Sequence, residues 1–171
     1  GIIEESTEFI AIDGPHLARI DQAYVELKMQ EVSTVSSNEN YHILDTGSPH
    51  YVALQSGLQA IDMNVEGSKI RHSAPFDASG VNVNFAEKIN EDTFAIRTYE
   101  RGVEGETLSC GTGATAVAIA MYHSNQTASK SIKLEAQGGD LQVRFEPLSS
   151  SYSDVWLCGP TKQVFKGDLE W

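Results

Sequence analysis

TYERGVEGETLSCGTGATAVAIA, residues 98–120, sets a single cysteine between a charged Gly/Glu loop and a long apolar run. From about Thr112 to His123 the run predicts a helix, and its composition decides the architecture. An ordinary surface helix carries a polar face. This one presents Ala114, Ala116, Val117, Ala118, Ile119, Ala120 and Met121 on nearly every side. Such a helix must be buried all round.

Outward from it, the chain is strand-like. AYVELKMQEV, residues 23–32, alternates Val25, Leu27 and Met29 with Glu26, Lys28 and Gln30, the period of a half-buried strand. TEFIAI, YHILD, HYVAL, VNVNFAE, TFAIRTYE, SIKLEA, DLQVRF, DVWLC and KQVFKG carry β-formers bounded by Gly, Asn, Asp, Ser or Pro. A second helix is expected around residues 58–72, LQAIDMNVEGSKIRH, and loops at TVSSNEN (34–40) and SSSYS (149–153). In so strand-rich a chain, the economical way to enclose a helix is to wrap sheet around it, small alanines letting the strands approach. The expected fold is α+β: a curved mixed or antiparallel sheet around a buried central helix at about 112–123.

The 171 residues suffice for one well-packed domain or two small lobes, and 40% hydrophobic residues can fill a core. Twenty-four Asp and Glu against 12 Lys and Arg give a net charge of −12, which repels a phosphate backbone and argues against nucleic-acid partners. No apolar stretch of about 18 residues exists to span a bilayer, and GIIEESTEFIAIDG lacks the basic start of a signal peptide. The expectation is a cytoplasmic protein without a membrane partner. Two cysteines, Cys110 and Cys158, read as free thiols rather than a disulfide framework. His16, His42, His72 and His123 show no metal spacing with them, and no metal is expected.

CGTGA places Cys110 at the start of the buried helix, where unpaired N–H groups and the positive dipole end favour an anion. A thiol there is expected to have a lowered pKa and to act as base or nucleophile. Gly111 and Gly113 bare a nest of N–H donors able to hold a carboxylate or phosphate. Together they suit removal of a proton beside a carboxylate, since the donors that bind it also stabilise its developing charge. Acyl transfer, with Cys110 attacking a carbonyl and His50 as base, is a second reading. An inert apolar residue capping a core helix is a third. Upstream, YERG brings Glu100 and Arg101 to the end of a strand.

With its preceding strand FAIRTYE, the segment ERGVEGETLSCGTGATA resembles the diaminopimelate epimerase family. DTGSPHYV (45–52), NVNFAE (82–87), GGDLQVRF (138–145) and CGPTKQVFKG (158–167) fall in that family's order, from about Phe9 to Trp171. The resemblance implies a cofactor-independent epimerase interconverting LL- and meso-diaminopimelate with two cysteines, one on each face of the α-carbon. It implies that Cys110 is the second catalytic cysteine, that Glu100 helps deprotonate or tune it, and that His50 sets the ionisation of the first. It further implies that Gly111 and Thr112 grip the α-carboxylate, and that Asn82 and Arg101 bind the distal carboxylate, with Glu100 near the distal amine. Cys158 is implied to be a buried structural thiol. Ser48 stands where many members carry asparagine, in the same substrate-binding stretch, and the loop before Cys110 is one residue longer than the common form. The family's Gly-Asn-Gly-Ala-Arg-Cys type of motif does not occur in these residues. Residues 1–20 are therefore expected to be a remnant of an N-terminal domain or an interdomain strand, and 21–171 the C-terminal epimerase-like domain, inactive alone. The implied partners are the missing domain, a small diamino dicarboxylate and a second copy of the chain. Another isomerase of the same fold, such as a proline racemase or phenazine-biosynthesis-like isomerase, and a non-catalytic carboxylate-binding domain are the alternatives.

Overall fold

The computed structural model describes residues 5–162 and 164–168. Strands β1 (Ser6–Ala11), β2 (Gly14–Asp21), β3 (Tyr24–Lys28), β4 (Val35–Ser37), β5 (His42–Asp45) and β6 (Pro49–Leu54) come first. A 3-10 turn (Leu58–Ala60) and helix α1 (Met63–Arg71) lead to β7 (Asn82–Lys88), β8 (Thr93–Glu100) and β9 (Gly105–Thr107). Helix α2 (Gly111–His123) is followed by β10 (Ser131–Ala136), β11 (Gly139–Pro147) and β12 (Tyr152–Pro160). All described strands join one sheet, ordered β1-β2-β3-β12-β11-β10-β8-β7-β6-β5-β4, with β9 added to β8. The sheet is mixed: β6 and β7 pair in parallel, as do β8 and β10, and the other pairs are antiparallel.

The sheet closes around α2, which touches β5, β6, β7, β8, β10, β11 and β12. Every residue from Gly113 to Met121 is buried, as a helix without a polar face requires, and the one hydroxyl among them, on Thr115, donates to the Gly111 carbonyl at 3.0 Å. Phe94, Ile96, Ile132, Leu134, Val143, Phe145 and Val155 enclose it. Full burial of Val117, Ile119 and Met121 contributes about 1.5–3 kcal/mol for each side chain. On the sheet's other side, α1 brings Met63 into a cluster with Leu58, Val81, Val83, Phe85 and Tyr99. There Gly67 admits the close approach, since a Cβ on it would lie 2.5 Å from the Tyr99 Cβ.

Several expected elements differ. The helix over 58–72 divides, because Asp62 turns out of the 3-10 turn and caps α1 by accepting from the Asn64 and Val65 amides, both at 3.1 Å. The loop expected at 34–40 contains β4, whose register Val35↔Leu44 to Ser37↔His42 makes a polar edge hairpin with β5. The loop at 149–153 ends early, since Tyr152 and Ser153 already belong to β12. KQVFKG forms no strand among its described residues, where Val164 and Phe165 are exposed; Gln163 lies outside them. Unforeseen were β2, which pairs with both β1 and β3, and β9, within the charged Gly/Glu loop. Among the described residues no helix is long and apolar enough to cross a membrane.

Candidate active site

Cys110 is the N-cap of α2, in extended conformation at φ −130° and ψ 110°. Its Sγ accepts from the Gly113 amide at 3.4 Å and lies 3.5 Å from the Thr112 hydroxyl. The Gly113 amide donates to the Cys110 sulfur and the Ala114 amide to the Cys110 carbonyl, leaving Gly111 and Thr112 as unused N–H donors among the described residues. A side chain at either glycine would force a neighbour to shift. A Cβ on Gly111 would meet Leu157 at 2.7 Å, and one on Gly113 would meet the Asn84 Oδ1 at 2.5 Å. Of the donors expected from CGTGA, the Gly111 and Thr112 amides are thus the two left open among the described residues.

The expected ionisation is reversed. Burial pushes the Cys110 thiol above its ordinary value, and the nearby Glu100 carboxylate pushes it the same way. The Thr112 hydroxyl and Gly113 amide oppose this without prevailing. A helix start lowers a cysteine pKa where the sulfur is solvated, but this one is only 7% exposed. Glu100 is held in place by the Thr107 hydroxyl of β9, 2.5 Å from its Oε1.

Sheet register assembles the other candidates. The parallel pair His50↔Asn82 and the antiparallel pair Asn84↔Thr98 set these four side chains across β6, β7 and β8. His50 is fully buried, with Nε2 3.1 Å from the Ser48 Oγ and Nδ1 3.0 Å from the Asn84 Nδ2. Desolvation lowers its pKa to about 3, so the ring is neutral at physiological pH. Asn82 donates to the Ser48 Oγ at 3.0 Å and accepts the Arg101 backbone N–H at 2.9 Å. The Arg101 guanidinium reaches the Ser79 carbonyl at 2.9 Å and is exposed. Thr46 fastens this arm to the first turn of α2 by donating to the Thr112 carbonyl at 2.8 Å. Cys110, Gly111 and Thr112 thus open α2 with Glu100 acting on the thiol, and Ser48, His50 and Asn82 join that turn through Asn84, whereas Arg101 is tied to them by its backbone N–H. A concavity of about 470 Å³ bordered by Asn38, His42, Gln55 and Ser124 lies at the other end of α2.

Sequence reasoning missed Thr46, Asn84, Thr98 and Thr107. Asn84 had a signal: it follows Asn82 by two in a strand, so both amides share one face of an otherwise apolar segment. Cys158 is free and buried on β12, in register with Glu26 of β3 and Gln142 of β11. His16 is paired with Asp13 at 3.0 Å, and His123 with the Tyr152 hydroxyl at 2.9 Å.

Known proteins bear on this arrangement. Among solved structures, a hydroxyproline epimerase from Agrobacterium vitis with bound trans-4-hydroxy-L-proline superposes with a TM-score of 0.65 at 17% identity, covering 94% of this chain and 59% of that one. A phenazine biosynthesis protein of the PhzF family from Enterococcus faecalis gives 0.62 at 16% identity, covering 100% and 67%. At such identities they establish the fold alone. In sequence, the diaminopimelate epimerase of Flavobacterium psychrophilum is 46% identical over 96% of this chain and 65% of its own length. That of Chlorobaculum tepidum is 38% identical over 76% of this chain and 50% of its own. The chain thus spans between half and about two thirds of these relatives. The family profile described as diaminopimelate epimerase matches residues 42–153, which hold α2, Cys110 and every other candidate residue. By that match and the 46% identity, the chain belongs to the diaminopimelate epimerase family.

Proposed function

We propose that this chain supplies one half of the active site of a cofactor-independent diaminopimelate epimerase, which interconverts the LL and meso forms by proton transfer at an α-carbon. The observation that carries the reading is Cys110 as the N-cap of a buried helix, beside two unused amides and the Glu100 carboxylate. In the forward step, a thiolate on the opposite face takes the α-hydrogen. The C–H pair is left on the α-carbon and spreads into the adjoining carboxylate, held by the Gly111 and Thr112 amides. Cys110, kept as a thiol by burial and by Glu100, then delivers its proton from this face, inverting the centre and becoming the thiolate. In reverse, Cys110 is the base. Inversion needs both faces, because one rigid thiol reaches only one.

The opposing cysteine is supplied by an N-terminal domain, residues 1–20 are its remnant or an interdomain strand, and residues 21–171 form the C-terminal domain. Ser48, Asn82 and Arg101 orient the distal carboxylate, and Glu100 meets the distal amine. The reaction serves lysine and peptidoglycan precursor synthesis in the cytoplasm, the chain alone is inactive, and the working enzyme is a homodimer. Incubation of LL-diaminopimelate with the whole protein, followed by chiral chromatography, tests this. Approach to a mixture of LL and meso forms is expected with the whole protein and not with residues 1–171; an unchanged LL form with the whole protein refutes the reading.

A further inference from the structure

The hydrogen-bond chain from Thr98 to Arg101 has a direction that is fixed from both ends. At one end, the Asn84 Nδ2 lies 3.0 Å from the Tyr51 carbonyl, which can only accept. The amide nitrogen therefore occupies that side, and the Asn84 Oδ1 takes the Thr98 hydroxyl at 2.9 Å. The same nitrogen faces the His50 Nδ1 at 3.0 Å. Since it only donates, Nδ1 must be bare, and the ring hydrogen sits on Nε2, which donates to the Ser48 Oγ at 3.1 Å. At the other end, the Arg101 backbone N–H donates to the Asn82 Oδ1, which turns the Asn82 nitrogen toward the Ser48 Oγ at 3.0 Å. The Ser48 oxygen accepts from both sides. Its own hydrogen has no acceptor among the described residues, and Ser48 is half-buried at the site's margin.

We propose that Asn84 is a positioning residue: it locks His50 in the Nε2–H tautomer and so makes the Ser48 hydroxyl an obligate donor toward the site. A hydroxyl with both acceptor positions filled receives a carboxylate or other acceptor oxygen and turns away an ammonium group. This polarity distinguishes the two charged ends of an amino acid without a formal charge on Ser48. That the oxygen belongs to the distal carboxylate rests on the function proposed above; the direction of the chain does not. Asn84 also abuts the catalytic turn, because its Oδ1 fills the space a Cβ on Gly113 would need. One buried amide thus holds both the His50–Ser48 arm and the start of α2.

Nitrogen NMR of the chain labelled with ¹⁵N-histidine tests this, with His50 assigned by the signal lost in His50→Gln. The expected wild-type spectrum has His50 Nδ1 in the unprotonated range and Nε2 in the protonated range. In Asn84→Asp an ionised carboxylate facing the ring can only accept, and Nδ1 is expected to gain a proton, moving to the protonated range. A merely structural asparagine would leave the ring's protonation unchanged in the folded variant. Wild-type Nδ1 in the protonated range overturns the proposal, as does a folded Asn84→Asp whose Nδ1 stays bare. Should that variant not fold, the wild-type spectrum alone decides. None of these readouts needs turnover, so the proposal and the epimerase assignment fail separately.

Discussion

Gly113→Ala sets helix propensity against packing at the turn that carries Cys110. Alanine is favoured over glycine within a helix by about 0.8–1.0 kcal/mol, so propensity alone makes the variant more stable. The new methyl, however, would stand 2.5 Å from the Asn84 Oδ1 and 3.2 Å from the Cys110 Sγ. Asn84 is fully buried and bonded to His50, Tyr51 and Thr98, so it cannot withdraw without leaving polar groups unmet. Overpacking costs about 1–3 kcal/mol, and each abandoned buried polar group about 1–3 kcal/mol. After the propensity gain, a net loss of about 2 kcal/mol remains, or roughly 4–8 °C in Tm for a chain of this size. Gly105→Ala is the control: its Cβ would lie 3.6 Å from the Asn64 Oδ1, an ordinary contact, and stability should change by no more than about 0.5 kcal/mol. Urea unfolding followed by circular dichroism measures both. A Gly113→Ala chain as stable as wild type would show that Asn84 is not wedged against this turn.

Alkylation of Cys110 by iodoacetamide should show an apparent pKa above that of a free cysteine, since burial and Glu100 both hold the proton on. Glu100→Gln removes one of those causes, so the alkylation rate at pH 8 should rise; a fall would assign Glu100 the opposite effect. Because the folded pKa of Cys110 is raised, its contribution to stability is present below the unfolded value of about 8.5 and is lost as pH climbs toward the folded value. Cys158, also raised by burial, acts in the same direction, so the urea midpoint should decline above about pH 8.5. His50 has the opposite sign: its pKa is lowered to about 3, so the unfolded chain binds the extra proton first and stability is lost as pH falls below about 6.5. This costs about 2–3 kcal/mol between pH 6 and 4, and the His50 ring signals should stay constant over that range while those of His16, raised by Asp13, titrate higher. Glu106→Ala strips the two-pronged partner from Arg97, which is bonded at 2.6 and 2.7 Å and nearly buried. A loss of about 3 kcal/mol is expected from the stranded guanidinium, and a change below about 1 kcal/mol would mean that the Leu58 and Ile61 carbonyls satisfy it alone.

The buried helix was legible because its composition leaves no polar face, and a residue string without a polar face has only one environment open to it. The strand-rich remainder then had to surround it. Edge strands were harder: β4 is polar and β9 is three residues within a Gly/Glu loop, so pairing rather than pattern defines them. KQVFKG shows the converse, a β-like pattern without a partner strand among the described residues. The position of Cys110 at a helix start was readable, but its ionisation was not, because burial and the approach of Glu100 are three-dimensional facts. Likewise, Asn82 could be singled out, whereas the direction of the chain through Asn84, His50 and Ser48 depends on sheet register and on one backbone carbonyl.

The most direct test of Cys110 as an acid–base thiol is incorporation of solvent deuterium at the α-carbon of diaminopimelate by the whole protein in deuterated water, wild type beside Cys110→Ala. Exchange with inversion is expected from the wild type, with a loss of about 10²–10⁴-fold in the variant, the range for removing a positioned acid or base. Undiminished inversion by a folded Cys110→Ala protein would contradict the assignment of Cys110 as the proton carrier on this face.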